Sequence, residues 1–166
     1  MFLEGNDDER FFSQVMFSLL AAEYPEIRVI QYAQDPPKET NKFLRTISSS
    51  EDEYIFVKDI NDAPCITASK AKTAGKYKVN QDNVVIVVKE IECWYLCGLD
   101  NDSCRRLRME RHTGNTDNMT KEDFDNFIPE DISRIEFMQQ ILERFDIEIG
   151  KQRNRSFHYF LRKWVE

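Results

Sequence analysis

The sequence predicts an α/β fold: a parallel sheet of about four strands flanked by helices, with a C-terminal helical extension. Three observations carry this. Four short apolar runs alternate with stretches of helical periodicity over the first hundred residues. The connections between those runs are long enough for crossovers rather than hairpins. The last run, NVVIVVK, is too apolar to be half exposed, as expected of a parallel strand covered on both faces. A β-α-β-α-β-α-β order of this kind folds as a parallel sheet with helices on both sides.

The elements follow in order. MFLEG is a short strand ending in Gly5, and NDDE after it is rich in helix-capping residues. In RFFSQVMFSLLAAEY, Phe11, Val15 and Leu19 recur every four residues beside Phe12, Met16 and Leu20, a wide apolar stripe on one helix that Pro25 closes. EIRVIQYAQ reads as the second strand. Asp35-Pro36-Pro37 opens a helix through Phe43, Leu44 and Ile47, since proline suits a first turn. EYIFVKDIND is the third strand and ends in a burst of acids. Pro64 opens another helix, with Gly75 as its expected stop. NVVIVVK then runs into EIECWYLCG, a helix stopped at Gly98. The second half is helical: SCRRLRMER, a short helix capped by Thr120 and Asp123, an amphipathic stripe from Ile132 to Phe145, and a last helix through Phe157, Phe160, Leu161 and Trp164. The expected organisation is one domain, with an α/β core over 1–98 and helices 99–166 docked on it.

Composition bounds the function. At 166 residues, 41% hydrophobic and 12% aromatic, the chain can bury a core despite 32% charged residues. No apolar run approaches the roughly 20 residues that span a bilayer, so no membrane partner is expected. MFLEGNDDERFF lacks a basic region followed by an apolar one, so a cytoplasmic location is expected. Cys65, Cys93, Cys97 and Cys104 read as buried or free thiols; their spacing, with His112, fits no common zinc pattern. The net charge of −7 does not advertise nucleic-acid binding. Its distribution is uneven, however: 105–111 holds four Arg against Glu110, and 151–166 holds five Lys or Arg against Glu166. Either run alone reads first as a solvated helix face.

The chemistry gathers in acids. Ligands of open parallel sheets bind beyond the carboxyl ends of the strands. Glu4 closes the first strand and Asp59 the third; Asn61 and Asp62 share the following loop, and Glu90 and Glu92 follow the fourth strand. Hard oxygen donors in such a cluster suit Mg²⁺ or Mn²⁺. Each acid alone reads first as a helix cap, Asp62 above all, whereas Gly5 implies a tight turn that holds Glu4 in place and Asp59 is followed by Ile60 rather than by a helix start. Lys58 and Lys89 end strands beside the acids, where an ammonium can contact phosphate or offset repulsion. Trp94 and Tyr95, at helical spacing with Ile91 and Leu96, read as core rather than base-stacking residues. Arg105, Arg106, Arg108 and Arg111 are candidate phosphate contacts. No GxxxxGK[ST] or GxGxxG run exists, and neither His112 nor His158 has a nucleophile partner, which argues against a P-loop, a dinucleotide site or a triad.

FLEGNDDERFF resembles the opening of Toprim domains, where a Glu-Gly turn ends the first strand. VKDINDAPC is similar to the Toprim acidic motif at the end of the third. VVKEIECWYLCGLD resembles a segment of small, uncharacterised prokaryotic Toprim-like proteins related to the nuclease domain of OLD proteins. The resemblance covers roughly residues 1–100. It implies a Toprim/Rossmann-like sheet that uses Mg²⁺ or Mn²⁺ for phosphodiester chemistry on DNA or RNA. Glu4 carries over as general acid/base or metal partner and Asp59 as metal ligand, with Asn61, Asp62 and Glu92 as further ligands and Lys58, Lys89, Arg105, Arg106 and Arg108 toward nucleic acid. The family pattern is Asp-x-Asp, whereas this chain has Asp59-Ile60-Asn61 with Asp62 next. That exchange removes a charge and weakens a metal site unless Asp62 or Glu92 substitutes. Two further readings stand beside a metal-dependent nuclease of a prokaryotic defence or mobile-element system: a non-catalytic Toprim-fold module that binds a protein partner, and a small phosphate-ester hydrolase.

Overall fold

Four short strands, β1 (Phe2–Leu3), β2 (Ile30–Gln31), β3 (Phe56–Asp59) and β4 (Val84–Val87), form one parallel sheet in the order β2-β1-β3-β4. The computed structural model describes residues 1–50, 52–109 and 114–166; Arg111 and His112 lie outside them. Helices α1 (Asn6–Phe11) and α2 (Phe17–Leu20), joined by a π turn over Phe12–Met16, connect β1 to β2. Helix α3 (Pro37–Ser48) connects β2 to β3, and α4 (Ile66–Tyr77) connects β3 to β4.

The pleat sorts the strands into two cores. Phe2, Phe56, Val84 and Ile86 face α3 and α4, where Tyr32, Leu44 and Tyr77 cover them. Leu3, Val57, Val85 and Val87 face the other way, against α1 and everything after β4. Moving outward to β2 and then back across β1 to β3 puts successive crossover helices on opposite faces, as right-handed connections require.

The second layer is the larger. Helices α5 (Glu92–Cys97), α6 (Asn101–Arg106), α7 (Lys121–Asp125), α8 (Arg134–Leu142), α9 (Ile147–Arg153) and α10 (Arg155–Trp164) share one continuous core with the sheet. Phe11 sits at its centre, with ring centroids of Trp94, Tyr95, Phe145 and Phe157 at 5.3–6.0 Å. Trp94 and Tyr95 are therefore core residues; the indole donates to Ser156 Oγ (2.8 Å) and the phenol to the Asp7 carbonyl (2.8 Å). Cys93, Cys97 and Cys104 are buried thiols and Cys65 is exposed.

Several elements differ from their sequence expectations for local reasons. The second strand shrinks to two residues because β1 offers only Phe2 and Leu3 to pair with. Helix α4 passes through Gly75 and stops with Lys78 in the left-handed region (φ 54°); the Tyr77 ring, packed on Tyr32 and Phe56, holds the extra turn. Its cap is Cys65, whose thiol accepts the Ala68 amide, and not Asp62. The stripe expected over Ile132–Phe145 is helical only over Arg134–Leu142, capped by Ser133, and GKQR before the last helix is itself helical in α9.

Close approaches weld the last helices on. A Cβ at Gly150 would lie 2.7 Å from the Phe157 ring and 3.1 Å from Cys97 Sγ. Gly150→Ala should accordingly destabilise the fold by about 1–3 kcal/mol, read as a lower denaturant midpoint at unchanged slope. An unchanged midpoint would mean this contact is slack.

Candidate functional site

Reversal of strand order between β1 and β3 opens a crevice at their carboxyl ends, the position where doubly wound sheets hold ligands. Glu4 follows β1 directly and Asp59 is the last residue of β3, so the topology brings them together across 55 residues of sequence. Glu4 Oε2 accepts the Asp59 amide (2.9 Å), and Glu4 Oε1 accepts the Lys58 ammonium (3.0 Å). Successive residues of a strand point to opposite faces. Lys58 therefore lies toward α4, while Asp59 points under α1 and α5.

Beneath those helices Asp59 meets other acids. Asp8, in the first turn of α1, is 5% exposed; one of its oxygens accepts the Gly5 amide (3.2 Å). Burial, then the charges of Glu4, Asp8, Glu92 and Glu90, push Asp59 up to about 9. Burial and the Glu4 charge push Asp8 up to about 7. Asp59 Oδ1 and Asp8 Oδ1 are both buried without a hydrogen-bond partner. A buried carboxylate of this kind keeps a proton or takes a cation.

The remaining candidates have other partners. Asn61 is exposed in the left-handed region (φ 48°) and its amide donates to the Asp59 carbonyl (3.0 Å). Asn, like Asp, tolerates that backbone better than most residues. Asp62 is exposed on the loop before α4. Glu92 is 5% exposed and bound by Arg134, which also pairs with Asp7 (2.7 Å) and Asp125 (2.9 Å). Glu90 accepts the Lys121 amide (2.6 Å). Lys89 is exposed with φ 68°. Arg105 and Arg106 both pair with Asp102, and Arg108 with Asp131. The sequence reading missed two residues. Asp8 was one of three interchangeable caps, and Arg134 stood in no motif; a lone Arg on the apolar stripe of α8 was the available signal.

Among the described residues no three His, Cys, Asp or Glu side chains come close enough to cage a metal ion. Glu4, Asp8 and Asp59 are the set with unmet capacity: two buried, unpartnered oxygens beside a carboxylate neutralised by a single lysine. Hard oxygen donors of this type fit Mg²⁺ or Mn²⁺ with its waters.

The raised Asp59 pKa has a definite sign in stability. Between the unfolded value, about 3.9, and the folded value of about 9, the folded chain keeps a proton the unfolded chain has lost. Stability fully present below pH ~4 is therefore lost as pH rises through 9. Asp59→Asn should melt above wild type at pH 8, with the gap closing toward pH 4; parallel melting curves would refute the buried acid. Arg134→Met, which strands Glu92, should cost about 3–5 kcal/mol, partly recovered by adding Glu92→Gln. No recovery would assign the loss to packing instead. Comparison with protein-family models, with curated proteins and with solved structures yields no match to this chain.

Proposed function

We propose that the β1/β3 crevice is a divalent-cation site for phosphodiester chemistry on nucleic acid, as the resemblance to Toprim domains implies. The observation that carries this reading is the pair of buried, unpartnered carboxylate oxygens of Asp8 and Asp59 beside Glu4 at the switch point. Asp59, with one of Asp8 and Glu4 beside it, would hold Mg²⁺ or Mn²⁺ through one or two carboxylates and the ion's own waters, which would supply neutralisation of phosphate charge and an activated water. Lys58 is placed to exchange its hold on Glu4 for a phosphate oxygen. Protonated Asp59 must give up its proton to bind a cation, so ion binding should strengthen with pH. The proposed ligands differ from those the sequence suggests: Asp8 becomes a candidate beside Glu4 and Asp59, while Arg134 already holds Glu92 and Asn61 turns to the main chain.

A second reading has its own support. Lys58 Nζ already supplies Glu4 with a cation, as expected of a non-catalytic fold that serves a protein partner. Pure protein incubated with single- and double-stranded DNA and RNA in Mg²⁺ or Mn²⁺ separates the two. Cleavage should fall by on the order of 10²-fold or more in Glu4→Gln and Asp59→Asn. An inert wild type that also takes up no Mn²⁺ by calorimetry would favour the partner-binding module.

A further inference from the structure

Unpaired positive charge gathers on α3 and α4 rather than in the arginine run after α5. Helix α3 carries Lys38, Lys42 and Arg45 against Glu39 alone, and α4 carries Lys70, Lys72 and Lys76 with no acid. Among the described residues none of these six makes an ion pair, whereas Arg105, Arg106 and Arg108 all do. Lys70 turns to the Tyr159 ring on α10 (5.4 Å). The other five stay exposed in one layer. Lys38, Lys42 and Arg45 recur at i, i+4 and i+7 on α3, and Lys72 and Lys76 at i and i+4 on α4. Asn41, on the same face of α3, donates to the Lys76 carbonyl (3.3 Å) and ties the two helices together.

This face is continuous with the carboxylate crevice. An open groove of about 210 Å³ runs along α4, lined by Lys72, Lys76 and Lys58 against one acid, Asp62, on the Asn61 loop at one end. Lys58 is also the residue that binds Glu4. We infer that the α3/α4 face binds the sugar-phosphate backbone of nucleic acid and feeds it along the Lys76–Lys72–Lys58 groove to the Glu4/Asp59 crevice. The inference rests on the proposed phosphodiester reading for its choice of substrate class. Its composition favours nucleic acid over an acidic protein. Protein interfaces centre on a packed apolar core, whereas nucleic-acid interfaces are polar and strongly positive. The large apolar side chains exposed on these two helices are Phe43 and Ile66, too few for the apolar centre of a protein interface.

The test is fluorescence anisotropy with labelled 20-mer single- and double-stranded DNA, in EDTA so that no cation chemistry enters. Wild type should bind at 50 mM salt, with affinity falling log-linearly as salt rises. Lys72→Glu/Lys76→Glu, both exposed, should retain the wild-type melting temperature, weaken binding about tenfold or more and flatten the salt slope. Arg105→Ala/Arg106→Ala/Arg108→Ala should bind as wild type. Absence of binding by wild type, or binding indifferent to the Lys72/Lys76 reversal, overturns the inference. Equal competition by polyglutamate of matched charge overturns it in favour of an acidic protein partner. Charge-dependent binding with no cleavage in Mg²⁺ supports this surface while removing the catalytic reading.

Discussion

The carboxylate of Glu4 spans the gap between the ends of β1 and β3, taking the Asp59 amide on one oxygen and the Lys58 ammonium on the other. Much of the carboxyl edge depends on that clamp. It uses a side chain to satisfy the Asp59 amide, where β3 runs on past the end of β1 at the place where strand order reverses. It also splits the local charges by the pleat. Lys58 stays on the α4 side, and Asp59 is sent beneath α1 and α5 with no ion pair among the described residues. The resulting excess of buried negative charge holds Asp8 and Asp59 as acids well above the usual carboxylate range.

The helices after β4 build the wall behind this edge. Arg134 on α8 joins Asp7, Glu92 and Asp125 from three other helices, so the outer acids are compensated and the inner pair is not. Ser156 Oγ accepts the Val88 amide at the end of β4 (3.3 Å), and Asn154, fully buried, reaches Thr116, Cys93 and the Phe157 amide. With the aromatic cluster around Phe11, these bonds make residues 99–166 part of the support of the crevice. Polar groups buried this deeply are worth their desolvation only when every partner is in place, which is the condition the Asn154 cluster meets.

Much of this was legible in the sequence because it depends on local signals. The alternation of β-rich and helical runs, the full burial of VVIV, the Thr120–Asp123 box and the stop at Gly98 all follow from periodicity and caps, and the structure has them. Glu4 and Asp59 could be chosen because strand ends in a parallel sheet share an edge. Asp8 and Arg134 could not, since their roles depend on which helix packs over which strand. Asn61 shows the opposite limit: the sequence reads it for a missing charge, whereas in the fold it sits in the left-handed region with its side chain turned to the Asp59 carbonyl. The arginine run shows a related limit, because the partners of its arginines, Asp102 on the same helix and Asp131 across a loop, emerge only from the fold.

Net charge hides this arrangement. A value of −7 averages an acidic crevice with a basic two-helix face, and only their separation has chemical meaning. Exposed cations on α3 and α4 are screened over roughly 10 Å in moderate salt, so they act on a ligand that lies against them. The buried acids are screened far less, and their mutual repulsion persists at any ionic strength. A polyanion drawn to the α3/α4 face would therefore meet, at the Lys58 end of the groove, a site that repels it while Asp8 and Asp59 are charged. Protonation or a bound divalent cation removes that repulsion by the same means, cancelling charge on the same two oxygens. Lys58 stands at the boundary between the two fields, pairing with Glu4 on one side and lining the groove on the other.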